Sequence, residues 1–142
     1  MTTVLIAIDE SDFAENAFKW YVANFHKSDS RLILLHVIEN LGITDMSPAR
    51  YIECQKEARQ KADSLKQRYT TMSSELGVES DIQIKTADKP EHAIVDTADK
   101  EKVAYIVTGS RGMGLIRRTI LGSTSDYIVH HAHCPVLICK RQ

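Results

Sequence analysis

The sequence predicts one α/β domain: a single doubly wound, five-stranded parallel sheet with four helices, Rossmann-like in layout. Three observations predict it. Apolar runs and helical periodicities alternate strictly along the 142 residues, in the order β-α-β-α-β-α-β-α-β. Such alternation calls for one parallel sheet with right-handed crossovers. The first, second and fourth runs are nearly continuous in Val, Ile and Leu, as in strands covered on both faces. Finally, 43% hydrophobic and 26% charged residues over this length are enough for one full core.

The first run, Thr3–Ile8, reads as a strand that stops at Asp9. Ala14, Ala17, Phe18, Tyr21, Val22 and Phe25 then recur at three and four, giving a helix one apolar face, with Ser11 or Asp12 as its N-cap. Arg31–Ile38 is the second strand. Glu39 to Met46 is the one long irregular stretch and reads as a flap. Ser47-Pro48 opens a long helix and Gly77 stops it. Between them Ala58, Ala62, Leu65, Tyr69, Met72 and Leu76 keep a four–three spacing. The third strand, Ser80–Thr86, alternates: Ile82 and Ile84 point one way, Gln83 and Lys85 the other. That places it near a sheet edge.

Asp88-Lys-Pro90-Glu91 has capping-box spacing and opens a helix presenting Ala93, Ile94 and Ala98. Ala104–Thr108 is the fourth strand. Ser123-Thr-Ser-Asp126 opens the last helix, which presents Ile128, Val129 and Ala132. Cys134-Pro135 ends it and starts the last strand, Val136–Cys139. In such sheets ligands sit beyond the carboxyl ends of the strands, where strand order reverses. The first and fourth strands, ending at Asp9 and Gly109, are the expected neighbours across that crevice.

Gly109-Ser110-Arg111-Gly112, followed by Gly122-Ser123-Thr124-Ser125, carries the strongest functional signal. Glycines let backbone N–H groups approach a ligand, and a helix N-terminus holds anions. Two such elements at one strand end make a phosphate cradle. No Gly-Lys-Ser/Thr follows, so it is not a P-loop. Arg117 stands where a dinucleotide fingerprint needs its third glycine. The plain alternative is that Gly109 and Gly112 are turn glycines and Ser123 caps a helix with Asp126. Asp9 suits a ribose hydroxyl, a base amine or a metal near phosphates, or else caps the following helix. Arg111, Arg117 and Arg118 flank the glycines, and guanidinium forks suit phosphate oxygens.

Other chemistry is weakly signalled. His130, His131 and His133 crowd the end of the last helix, but no carboxylate or cysteine pair completes a metal set. They suit a helix C-terminus instead. Cys54, Cys134 and Cys139 form no Cys-x-x-Cys pair, which argues against a disulfide framework and for free thiols in a reducing compartment. No Gly-x-Ser-x-Gly elbow or acid–base spacing is evident. Ser123, Thr124 and Ser125 can accept a phosphoryl group or, more simply, donate hydrogen bonds to one. A net charge of −1 favours neither nucleic acid nor an acidic membrane. No run approaches the ~20 residues that span a bilayer, and nothing marks export, so a cytoplasmic location is expected.

Over essentially its whole length the chain resembles the universal stress protein family, in its ATP-binding branch. The likeness is carried by Val4-Leu-Ile-Ala-Ile-Asp9-Glu-Ser11, Leu34-Leu-His-Val-Ile38, Thr108-Gly-Ser-Arg-Gly112, Leu121-Gly-Ser-Thr-Ser-Asp-Tyr-Ile-Val-His130 and His133-Cys-Pro-Val-Leu137. The family's motif of Gly, two residues, Gly, nine residues, then Gly-Ser/Thr is matched at Gly109, Gly112, Gly122 and Ser123. The resemblance implies sheet order 3-2-1-4-5 and a homodimer pairing the last strands, Val136–Cys139, edge to edge. It implies Asp9 at the adenine or ribose with Ala7 and Ile8 lining the pocket, and Val37 offering backbone contacts to adenine. It also implies Thr108, Gly109, Ser110, Arg111 and Gly112 along ribose and phosphates, and Gly122, Ser123, Thr124 and Ser125 on the phosphates. The ligand would be ATP, ADP or AMP, with Mg2+ or Mn2+ bridging phosphates. The implied role is a nucleotide-dependent stress-response regulator; the alternative is a slow ATP hydrolase or nucleotidyl-transferring enzyme. Asp126, a carboxylate close to the phosphates, departs from the expected chemistry.

Overall fold

The computed structural model describes residues 1–40, 42, 46–110 and 122–140. Five parallel strands form one sheet: β1 (Thr3–Ala7), β2 (Arg31–Glu39), β3 (Asp81–Ala87), β4 (Tyr105–Ser110) and β5 (Val136–Lys140). Their order is β3-β2-β1-β4-β5. Four described helices intervene: α1 (Asp12–Asn24), α2 (Pro48–Glu75), α3 (Pro90–Lys100) and α4 (Ser123–His131). Strand order reverses beside β1, which pairs with β2 on one side and β4 on the other. The expected neighbours across the crevice are therefore neighbours.

Alternation of side chains divides the core into two layers. Val4, Ile6, Leu32, Leu34 and Val107 pack with Phe18, Tyr21, Leu65 and Tyr69 from α1 and α2. Leu5, Ile33, Leu35 and Ile106 pack with Ile94, Val95, Ala98 and Ile128 from α3 and α4. Both faces of the central strands are covered, which is why these strands lack polar alternation. β3 lies at the edge, and Gln83 and Lys85 are the polar half of its alternation.

Several sequence expectations shift in detail. Phe25 leaves the apolar face: it is the C-cap of α1, 47% exposed, with its ring against Trp20 at 5.1 Å. Leu76 likewise becomes the exposed C-cap of α2, and Val129 is 42% exposed. Asp88 does not cap α3. The N-cap is Lys89, which makes no side-chain cap bond, and Asp88 Oδ1 accepts from Asn40 Nδ2 instead. Ser123 does not cap α4 either. Gly122 is the N-cap, Ser123 is the first helical residue, and Asp126 faces His130 at 3.5 Å. Ser11 and Ser47 do cap α1 and α2, accepting from the Ala14 and Arg50 N–H groups. Half of the expected flap, residues 41 and 43–45, lies outside the described residues, and its first residue, Glu39, belongs to β2.

Candidate functional site

A cleft of about 530 Å³ opens beyond the carboxyl ends of β1, β2 and β4. Ala7, Ile8, Asp9, Val37, Thr108, Gly109, Ser110, Gly122, Ser123, Thr124 and Ser125 all line it. Eleven of the thirteen residues singled out in the sequence thus share one hollow. The other two, Arg111 and Gly112, lie outside the described residues, as do Arg117 and Arg118. The cleft's size falls in the ordinary range for small-molecule sites.

The floor is made where β2 outlasts β1. Ile8 N–H donates to the Leu35 carbonyl at 2.9 Å, the last such bond between the two strands. Val37 lies two residues further, so its backbone N–H and carbonyl face the same side and meet no described β1 residue. Half-buried Val37 therefore offers a donor and an acceptor at the cleft floor. The Ile8 carbonyl is taken by His36 Nδ1–H at 3.1 Å. A carbonyl only accepts, so this contact fixes the tautomer. His36 also lines the cleft. Sequence reading missed it because the bond joins residues 28 positions apart.

Asp9 sits just past β1 and is exposed. Its Oδ1 accepts from Ser11 N–H at 2.8 Å and from the Ser11 hydroxyl. Ser11 Oγ in turn accepts from Ala14 N–H at 3.3 Å, closing the first turn of α1. The helix cap is thus Ser11, with Asp9 bracing it from behind.

The two glycines differ in kind. Gly109 lies inside β4, in register with Cys139 of β5, which sets aside the plain alternative of a turn glycine. A Cβ there would stand 2.3 Å from the Phe13 carbonyl oxygen and 3.2 Å from Ala14 N. It is a glycine because the first turn of α1 crosses β4 at backbone contact. Gly122 has an ordinary φ of −60°, and a Cβ there would meet nothing within 4 Å. Neither backbone strain nor a described protein neighbour requires a glycine at that position.

α4 aims its N-terminus into the hollow. Its first intrahelical bond runs from Asp126 N–H to the Gly122 carbonyl at 2.9 Å. The N–H groups of Ser123, Thr124 and Ser125 therefore precede the helical ladder and have no partner among the described residues. Ser125 is buried. Its hydroxyl donates to the Gly109 carbonyl at 3.2 Å and lies 3.1 Å from the buried Thr108 hydroxyl. This pair clamps α4 to the end of β4, so the free N–H groups are held in place. Ser123 is exposed and Thr124 half-buried. α1 and α3 also start at the cleft, through Ser11 and Pro90, so three helix N-termini add positive potential there. Among the described lining residues there is no lysine or arginine, and Asp9 and Glu39 are the carboxylates.

The histidines at the end of α4 have other occupations. The Tyr127 ring lies between those of His92 and His131, at 4.5 and 3.9 Å. His133 Nδ1 is 3.0 Å from Asp99 Oδ2. Among the described residues no three His, Cys, Asp or Glu groups could hold a metal ion. No described helix is long and apolar enough to cross a membrane.

Comparison with known proteins agrees with this geometry. The model of the universal stress protein family matches residues 1–140. A universal stress protein of Thermus aquaticus is 30% identical over 138 residues, covering 97% of this chain and 98% of its own length. Among solved structures, an Arabidopsis thaliana family member with AMP bound is 27% identical, with a TM-score of 0.76 over the whole of this chain and 93% of its own. The universal stress protein UspA of Lactobacillus plantarum is 25% identical, with a TM-score of 0.81 over 97% of each chain. With its sheet order, its cleft and these matches, the chain belongs to the universal stress protein family.

Proposed function

We propose that this chain binds an adenine nucleotide (ATP, ADP or AMP) in the β1–β2–β4 cleft and acts as a nucleotide-dependent stress-response regulator, as a cytoplasmic homodimer. Gly122 carries the proposal. It is a glycine that the described fold does not need, at the mouth of three unpaired N–H groups. A phosphate resting on those groups supplies the missing reason, since any Cβ there would stand in its way. The adenine goes to the floor, where the open N–H and carbonyl of Val37 match its Watson–Crick edge and Ala7 and Ile8 give apolar cover. The ribose lies between Asp9 and β4, beside Thr108, Gly109 and Ser110, with Arg111 and Gly112 following on.

The Ser123 and Thr124 hydroxyls, freer than that of Ser125, add donors to the phosphates. They are also hard oxygen ligands, which together with phosphate oxygens suit Mg2+ or Mn2+. AMP bound to the Arabidopsis relative supports the ligand class. The homodimer rests on β5, which among the described strands pairs with β4 alone and leaves an apolar edge through half-buried Val136, Leu137 and Ile138. Such an edge needs covering.

The test is titration calorimetry with ATP, ADP and AMP on the wild type and Gly122→Val. Valine at the N-cap leaves the fold standing, because a side chain there meets no described atom. Wild-type binding that is lost in the variant is the expected result. Equal affinity in both proteins would remove the phosphate site.

A further inference from the structure

Ser11 hydrogen-bonds in two directions. Its hydroxyl proton goes to Asp9 Oδ1, and its lone pair accepts from Ala14 N–H. Its own N–H goes to the same Oδ1 at 2.8 Å. Asp9 is therefore held through one oxygen only, and its other oxygen has no partner among the described residues. An aspartate freed from this anchor would lie one turn from the Ala14 N–H, a first-turn donor of the kind aspartate caps well. Ser11 occupies that cap itself and keeps the carboxylate off it.

We infer that Ser11 is a positioning residue for ribose recognition: by capping α1 and anchoring Asp9 Oδ1, it leaves Asp9 Oδ2 free in the cleft to accept hydrogen bonds from the ribose hydroxyls. The inference rests on the nucleotide reading above, which already sets the ribose beside Asp9, and adds the residue that holds Asp9 in place for it. Removing the hydroxyl acts twice. Asp9 keeps only the Ser11 backbone anchor, and Ala14 N–H becomes an empty donor one turn away. The carboxylate then turns to cap the helix and withdraws from the ribose. Threonine retains the hydroxyl and both of its bonds.

The experiment measures AMP and 2′,3′-dideoxy-AMP affinities for the wild type, Ser11→Ala, Ser11→Thr and Ser47→Ala. Ser47 caps α2 with the same geometry but lies outside the cleft, so its variant reports the loss of a cap alone. In the wild type, AMP should bind at least about tenfold more tightly than the dideoxy analogue, the usual size of a hydrogen bond to a charged group. The ratio should collapse towards one in Ser11→Ala, while dideoxy-AMP binding hardly changes. It should persist in Ser11→Thr and Ser47→Ala. A merely structural role for Ser11 would weaken both ligands together and leave the ratio intact, and that outcome overturns the inference. Wild-type protein that binds both ligands equally overturns it too, while leaving the nucleotide reading in place. Wild-type protein that binds neither overturns both.

Discussion

Replacing Gly109 by alanine puts a methyl carbon 2.3 Å from the Phe13 carbonyl oxygen and 2.6 Å from its carbonyl carbon. Both obstacles are backbone, in the first turn of α1, so no rotamer change relieves them. The helix must lift from β4 by roughly 1 Å to reach ordinary contact, in an interior close-packed like an organic crystal. Overpacking of this kind costs about 1–3 kcal/mol. Against it, alanine reduces the entropy of the unfolded chain by about 0.4–1 kcal/mol. The clash wins, and the net loss is about 1–2 kcal/mol. For a chain of this size each kcal/mol moves the melting temperature by about 2–4 °C, so the drop should be about 2–8 °C. A thermal melt followed by circular dichroism measures it. Gly122→Val is the paired control: its Cβ meets no described atom within 4 Å, and only a weaker N-cap is lost, about 1 kcal/mol or less. A Gly109→Ala melt indistinguishable from the wild type would refute the claim that α1 crosses β4 at backbone contact.

Further outcomes follow from the same packing. Ser125→Ala leaves the Gly109 carbonyl and the Thr108 hydroxyl without their buried partner, so urea unfolding should show a loss of about 1–3 kcal/mol. Tyr69→Phe removes a buried hydroxyl that has no hydrogen-bond partner among the described residues, and should leave stability unchanged or raise it by about 1 kcal/mol. Burial holds the Tyr21 and Tyr69 phenols well above the ordinary tyrosine value, with Tyr105 adding to the effect at Tyr21. The folded state then keeps protons that the unfolded chain releases. Stability should be complete below about pH 10 and fall as pH rises beyond it, less steeply in Tyr69→Phe. Ile138→Asp puts a charge on the half-buried outer strand; if the proposed homodimer pairs through β5, light scattering should find a dimer for the wild type and a monomer for the variant.

Most of the scaffold was legible because it is written in local patterns. Continuous Val, Ile and Leu marked β1, β2 and β4. Alternation marked β3 as an edge. Ser47-Pro48 marked the start of α2 to the residue. What failed was what depends on distant parts of the chain. Gly109 reads as a glycine for close approach to a ligand or, alternatively, for a turn, yet the approach it permits is that of Phe13 on another element. Asp88 has the right spacing to cap α3, but the helix starts one residue later and Asn40 takes the carboxylate. α4 opens at Ser123 as read, but the plain alternative in which Ser123 itself caps the helix with Asp126 does not hold. Gly122 is the N-cap, which leaves Ser123 and its N–H at the cleft. His36 carries no motif, because its partner is the end of a neighbouring strand. The grouping of the site residues was legible, whereas the division between Gly109 as a packing joint and Gly122 as open ground was not.

The most direct measurement is an amide-resolved NMR titration of the wild-type chain with AMP. If phosphate rests on the start of α4, the N–H signals of Ser123, Thr124 and Ser125 should move together and saturate along one binding curve, with Val37 following at the adenine end. AMP that binds while those three signals stay still, or that fails to bind at all, would contradict the phosphate cradle.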